Sequence, residues 1–153
     1  MKLDPIFTVK QNKLYKLADD TQVDTATLQR IEIKWSVVEL AEEQYNEEYL
    51  ADLRNQLKTL EEAGTFAVLV PIVDKPLKTA EETELFINAF NHTARRVKDC
   101  VSVAGFELPA ALTAKGFEEG SPAADFMETL AIKHAQYVYF VKGTDAPQNI
   151  AKY

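Results

Sequence analysis

The sequence predicts a single α/β domain in which about four parallel strands alternate with helices, preceded by an N-terminal β-hairpin. Short apolar or β-branched segments alternate with longer segments whose apolar residues recur at helical spacing. This order favours a parallel sheet with right-handed crossovers. The chain has 153 residues, the usual size of one domain, so a second full domain is not expected.

The first predicted element is a β-hairpin over residues 6–17. Its two alternating segments flank Gln11 and Asn12, and a two-residue turn of this kind needs positive φ, which asparagine tolerates. We assign residues 1–29 to the hairpin and its lead-in, 30–143 to a β-α-β-α-β-α-β unit, and 144–153 to a polar tail.

Four segments have the composition of sheet strands. The first alternates apolar and polar residues, and the second is unbroken apolar, which is typical of a parallel strand covered on both faces. Pro71 removes one hydrogen-bond donor from the second strand, so we expect a bulge or an early end to pairing near it. The predicted strands cover residues 30–39, 66–73, 101–108 and 137–141.

Three helices are predicted from their caps and apolar spacing. Asn46 precedes a helix with leucines at helical spacing that ends at Gly64. Thr79 and Glu82 have the spacing of a capping box. Ser121, followed by a proline, has the pattern of an N-cap and first helical residue.

The charge balance argues against nucleic-acid binding. The chain carries 17 Lys and Arg against 24 Asp and Glu, a net charge of −7, whereas nucleic-acid binding needs clustered cations. The most basic stretch contains Arg95, Arg96 and Lys98, and we interpret it as a solvated helix face rather than an anion site.

Neither a metal nor a cofactor is expected. The single cysteine, Cys100, excludes an internal disulfide and a zinc cage built from cysteines, and His92 and His134 lack metal-site spacing. No phosphate-binding loop or serine-hydrolase elbow is present. No segment approaches the roughly 18 apolar residues of a membrane span. We therefore expect a soluble protein and favour the cytoplasm, although a secreted protein whose leader had been removed would look the same.

Candidate site residues lie where strands end, because ligands of parallel sheets bind beyond the carboxyl ends of the strands. Glu39 ends the first predicted strand, Asp74 follows the second, and Glu107 lies near the end of the third. Two carboxylates about 5 to 9 Å apart could hydrolyse a glycosidic bond. An acidic chain also places such residues in many solvated loops, so both interpretations remain open.

Glu107 differs from the other two because it lies inside an apolar strand, where alternation places it on the face of Val103 and Gly105. A carboxylate in such a place must find partners or change its pKa. We therefore favour a structural salt bridge, for example to Arg30 or Lys34, over a catalytic role. Trp35 could stack on a sugar or lie in the core.

The order of segments resembles the amino-terminal half of a glycoside hydrolase family 5 barrel, the fold of the cellulase-like enzymes. The resemblance includes the hairpin, the early strand with its arginine and tryptophan, and the following helix and strand pairs. It rests on residues 7–20, 30–35, 49–70, 86–108 and 126–141.

The chain departs from that family at functional positions. Ile72-Val73 stands where the family has a strand-end histidine, and Pro109-Ala110-Ala111 stands where it has Asn-Glu-Pro. The family's nucleophile lies in the second half of the barrel, and a complete barrel needs about 250 residues. The resemblance therefore implies a truncated, catalytically degenerate barrel in which Arg30 alone is carried over as a site residue.

These observations favour a non-enzymatic binding or assembly module with a carbohydrate ligand. The unpaired sheet edges of a half-barrel predict a homodimer. One alternative is a glycoside hydrolase or other hydrolase that uses the strand-end carboxylates. Another is a small-molecule-binding regulator, which would require a concave pocket with convergent polar groups.

Overall fold

The computed structural model describes residues 3–153. Its strands are Phe7–Lys10 (β1), Lys13–Lys16 (β2), Gln29–Lys34 (β3), Glu39–Ala41 (β4), Gln44–Tyr45 (β5), Ala67–Ile72 (β6), Val103–Glu107 (β7), Val138–Val141 (β8) and Ala151–Lys152 (β9). Its helices are Trp35–Val38 (α1), Glu47–Glu62 (α2), Ala80–Arg96 (α3), Ala110–Thr113 (α4) and Pro122–Ala131 (α5).

The main sheet confirms the predicted parallel α/β architecture. Its strand order is β3-β6-β7-β8-β9, and all four pairings are parallel. The predicted hairpin is formed by β1 and β2, and Gln11 and Asn12 have φ of 50° and 64° at its turn. A second short hairpin, which the sequence does not predict, joins β4 and β5.

The stretch predicted as a polar tail, residues 144–153, instead returns to the sheet as the fifth strand. Ile150 and Ala151 are buried. The Asn12 side chain donates to the carbonyl oxygens of Ala146, Pro147 and Ile150, at 3.2, 2.7 and 2.8 Å. The hairpin turn therefore fixes this segment against the sheet.

The three predicted helices begin where their caps indicate. The Asn46 side chain accepts a hydrogen bond from the Tyr49 amide, and Thr79 and Glu82 form the complete capping box. Ser121 caps α5. Gly64, two residues beyond the end of α2, has φ of 72°, a conformation that glycine adopts without steric cost.

The first sheet strand is shorter than predicted. It ends at Lys34, and residues 35–38 form the single turn α1. The Asp74 side chain accepts hydrogen bonds from the Ser36 amide and hydroxyl. These bonds satisfy donors of the turn, so local alternation in the sequence does not continue as a strand.

Two apolar clusters lie on opposite faces of the sheet. The larger one packs the sheet against α2, α3 and α5, and the smaller one lies under the N-terminal hairpin. On β6, Leu69 belongs to the helix side, whereas Val68 and Val70 belong to the hairpin side. Both faces of this strand are buried, as its unbroken apolar sequence predicts.

A β-bulge in β7 changes the predicted face of Glu107. Ala67 pairs with Val103 and Val68 pairs with Gly105, so Ala104 is an extra residue in the ladder. Val103 therefore lies with the helix-side cluster and Ala104 with the hairpin-side cluster. The prediction that Val103 and Glu107 share a face is wrong because the bulge shifts the alternation.

Pairing along β6 ends early on one side, as the position of Pro71 predicts. The register with β7 stops at Leu69, whereas the register with β3 continues to Ile72.

Candidate functional site

Glu107 lies at the end of β7 and is held by two side chains from other strands. The Arg30 guanidinium donates to both of its carboxylate oxygens, with N···O distances of 2.9 to 3.0 Å. The Tyr153 hydroxyl donates to Oε1 at 2.7 Å. The Glu107 side chain is 11% exposed. The predicted salt bridge to Arg30 is confirmed, and the carboxylate is satisfied within the protein.

The cluster of Arg30, Glu107 and Tyr153 is partly removed from water. Burial, and then the hydrogen bond to Glu107, raises the pKa of Tyr153. Burial alone would lower the pKa of Arg30, but its bonds with Tyr153 and Glu107 outweigh that effect and raise it. The Tyr153 ring also stacks on Phe140, with centroids 5.3 Å apart. The phenol therefore stays a neutral donor and the guanidinium a cation.

Glu39 is a buried carboxylate next to the core tryptophan. It is 1% exposed, and it accepts hydrogen bonds from Trp35 Nε1 at 2.8 Å and from the Glu43 amide at 2.9 Å. Lys75 Nζ lies 3.5 Å from its Oε1. These partners compensate the buried charge, so Glu39 fixes α1 and β4 to each other.

Asp74 accepts hydrogen bonds from Ser36 of α1. Burial would raise its pKa, but the hydrogen bonds from Ser36 outweigh burial and hold the pKa below its ordinary value of 3.8. A carboxylate with a lowered pKa stays ionised and is poorly suited to donate a proton near neutral pH.

Trp35 belongs to the core. Its side chain packs edge-to-face on Phe86, with centroids 5.3 Å apart, and the residue is 2% exposed. Lys75 lies over the ring at 4.9 Å. The indole therefore offers no open face on which a sugar could stack.

The three candidate carboxylates belong to separate networks. Glu107 bonds to Arg30 and Tyr153, Glu39 bonds to Trp35, and Asp74 bonds to Ser36. A cleft of about 340 Å³ at the ends of β7 and β8 includes Glu107 but neither of the other two. Within residues 3–153, no described cleft brings two of these carboxylates together.

This strand-end cleft offers neutral polar groups and one cation beside Glu107. Thr113 from α4 and Lys142 and Thr144 from the loop after β8 line it. Sequence reasoning missed both Thr113 and Tyr153. The first is the last residue of a four-residue helix and the second follows a two-residue strand, and neither element is long enough to show periodicity.

Residues 3–153 contain no group of three or more His, Cys, Asp or Glu side chains that could hold a metal ion. None of the helices in this range is both long and apolar enough to cross a bilayer.

A parallel sheet with alternating helices and a cleft at the strand ends is the architecture of part of a β/α barrel. Solved structures with this architecture match this chain. Endo-glycoceramidase II from Rhodococcus sp., in complex with a cellobiose-like imidazole, superposes with a TM-score of 0.58 at 17% identity, over 80% of this chain and 46% of that protein.

Two other structures match in the same way. Pseudomonas stutzeri endoglucanase Cel5A, in complex with cellobiose, superposes with a TM-score of 0.60 at 16% identity. The match covers 76% of this chain and 37% of the endoglucanase chain. A GH5_18 protein from Bifidobacterium longum subsp. infantis has a TM-score of 0.53 at 12% identity, over 73% and 33% of the two chains.

These likenesses establish a glycoside-hydrolase-like fold. The chain spans less than half the length of each structure named above. No protein-family model and no curated protein sequence matches it.

Proposed function

We propose that this domain is a carbohydrate-binding module with the glycoside hydrolase fold and without hydrolytic activity. The observation that carries the proposal is the cluster of Arg30, Glu107 and Tyr153, in which both oxygens of the strand-end carboxylate are already bonded. Retaining hydrolysis needs two carboxyl groups about 5 to 5.5 Å apart, one of them free to exchange a proton. Glu39 and Asp74 are committed to other networks.

The strand-end cleft is the binding site in this proposal. It lies beyond the carboxyl ends of β7 and β8, where ligands of this architecture bind. The hydroxyls of Thr113 and Thr144 and the Lys142 ammonium can bond sugar hydroxyls. Structures of the same fold were solved with cellobiose and with a cellobiose-like imidazole, so cellobiose is the first ligand to test.

The test is a titration of the ¹⁵N-labelled protein with cellobiose, followed by heteronuclear NMR, with release of glucose measured in the same samples. We expect saturable shifts at Lys142 and Thr144 and no glucose. Thr144→Val should weaken binding, whereas Thr25→Val, a change at a half-buried site outside the cleft, should not.

Two results would count against the proposal. An absence of saturable shifts at the cleft would remove carbohydrate binding. Hydrolysis of cellobiose or of an aryl glycoside that Glu107→Gln abolishes would mean that Glu107 is catalytic and that the module is an enzyme.

Self-association is the second part of the proposed role. β3 is an edge strand, paired only with β6 within the described chain, and open edges invite pairing with another chain. Antiparallel pairing of two copies about Ile33 would place Glu32 of each copy opposite Lys34 of its partner. Opposite charges in such cross-strand positions stabilise pairing. We therefore propose a homodimer with a continuous sheet.

Sedimentation velocity at tens of micromolar tests the dimer. We expect Glu32→Lys to give a monomer, because it places like charges opposite each other, and we expect the double change Glu32→Lys with Lys34→Glu to restore the dimer. A monomeric wild-type chain at that concentration would contradict the proposal.

A further inference from the structure

A second cleft, of about 280 Å³, lies between α3 and the turn that follows α5, and it shares no residue with the strand-end cleft. α3 contributes Asn88, His92 and Arg95, which lie along one face of the helix because they are spaced by four and three residues. The turn after α5 contributes Lys133 and His134.

The charge in this cleft is opposite to that of the whole chain. The net charge of the protein is −7, yet the cleft is lined by Arg95 and Lys133 and by no Asp or Glu. Among residues 3–153, no carboxylate lies within ion-pair distance of either cation. Both positive charges are therefore available to a ligand.

The structure divides the basic stretch of α3 into two parts. Arg96 pairs with Glu47 at 2.8 Å, as expected for a solvated helix face. Arg95 lies in the cleft with Lys133, a residue that comes from a different segment. Attraction to a helix C-terminus can account for each cation separately, because Arg95 is in the last turn of α3 and Lys133 lies two residues beyond the end of α5. It does not account for the presence of both cations in one cleft.

One wall of the cleft is built from fixed rings. His92 stacks on Tyr45, with centroids 4.2 Å apart and an interplanar angle of 17°, and its Nε2 lies 3.0 Å from a Glu47 oxygen. His134 is 3% exposed and lines the opposite segment. The two exposed cations therefore line the same cleft as two imidazole rings that are held by packing.

We propose that this cleft binds a phosphate group, either free or as the monoester of a small molecule. Guanidinium and ammonium groups form charge-assisted hydrogen bonds with phosphate oxygens, and the Asn88 amide can add a donor. The volume fits one phosphate with a small substituent. This site is independent of the proposed carbohydrate site, so an experiment can disprove one of the two proposals without affecting the other.

The test is an NMR titration with inorganic phosphate, with glycerol phosphate and with acetate, at constant ionic strength. We expect saturable shifts around Arg95 and Lys133 with both phosphates, and much weaker binding of acetate. Whichever of the two phosphate ligands binds more tightly identifies whether the cleft takes free phosphate or a phosphate monoester. Arg95→Gln and Lys133→Gln should each weaken binding by at least about fivefold.

Lys98→Gln is the matched control, because it removes an exposed positive charge close to the end of α3 but outside the cleft. We expect it to leave phosphate binding unchanged. The proposal is overturned if neither phosphate gives saturable shifts in the cleft, if acetate binds as tightly, or if Lys98→Gln weakens binding as much as Lys133→Gln.

Discussion

At Glu107 the carboxylate lies at the end of a parallel strand, where enzymes of barrel architecture place reacting groups, yet its oxygens accept hydrogen bonds from Arg30 and Tyr153. The sequence suggested the first of these partners, because an acid inside an apolar strand needs a cation. It could not suggest Tyr153, which is 46 residues away in sequence and becomes a neighbour only because β9 joins the sheet.

Gly105 lies next to the β7 bulge, at a position where the neighbouring strand leaves no room for a side chain. A Cβ built on it would lie 1.6 Å from the Val138 carbonyl oxygen on β8, so any side chain would push the two strands apart. We expect Gly105→Ala to lower the free energy of unfolding by about 3 kcal/mol, the upper end of ordinary overpacking costs. Urea denaturation followed by circular dichroism measures this loss.

Gly116→Ala is the control for that substitution. Gly116 has φ of 85° and no atom near a built Cβ, so alanine there suffers backbone strain without a collision. An effect of Gly105→Ala no larger than that of Gly116→Ala would show that β7 and β8 are not packed as described.

At the scale of elements, the helices could be predicted because their signals are local. The caps at Asn46, Thr79 and Ser121 bond to amides three residues away, so the signal and its effect lie within one turn. The fifth strand and α1 could not be predicted. Asn12 holds β9 through carbonyl groups 134 to 138 residues away, and α1 depends on the distant Asp74.

The capping box of α3 should contribute to stability in a pH-dependent way. The Glu82 carboxylate accepts from the amides of Lys78 and then Thr79, and these bonds lower its pKa below the ordinary value of 4.5. Because the folded-state pKa is the lower one, this stabilisation is fully present above pH of about 4.5 and is lost as the pH falls through the folded-state value.

Glu82→Gln should therefore reduce the loss of Tm between about pH 5 and pH 2. Glutamine keeps an oxygen that can accept the same bonds but does not titrate. Glu81→Gln removes the same charge from the same helical turn without removing a capping group, and serves as the control. An acid profile changed equally by both variants would assign the effect to net charge rather than to the box.

At the scale of the whole molecule, the Arg30, Glu107 and Tyr153 cluster spans the main sheet. Arg30 lies on β3, Glu107 on β7, and Tyr153 directly after β9, with β6 and β8 between them. The cluster therefore ties both edges of the sheet to its centre. The position of the cluster gives the strand-end carboxylate of Glu107 a structural role, which is to hold the strands of the barrel-like sheet together.

A double-mutant cycle on Arg30 and Glu107 tests this account most directly. The free energy of unfolding is measured by urea denaturation for Arg30→Met, Glu107→Gln, the double variant and the wild type. If the carboxylate is a structural partner, each single change leaves an unmatched polar group, and we expect a coupling of about 1 to 3 kcal/mol. Additive effects of the two changes, with no coupling, would contradict the structural role of Glu107.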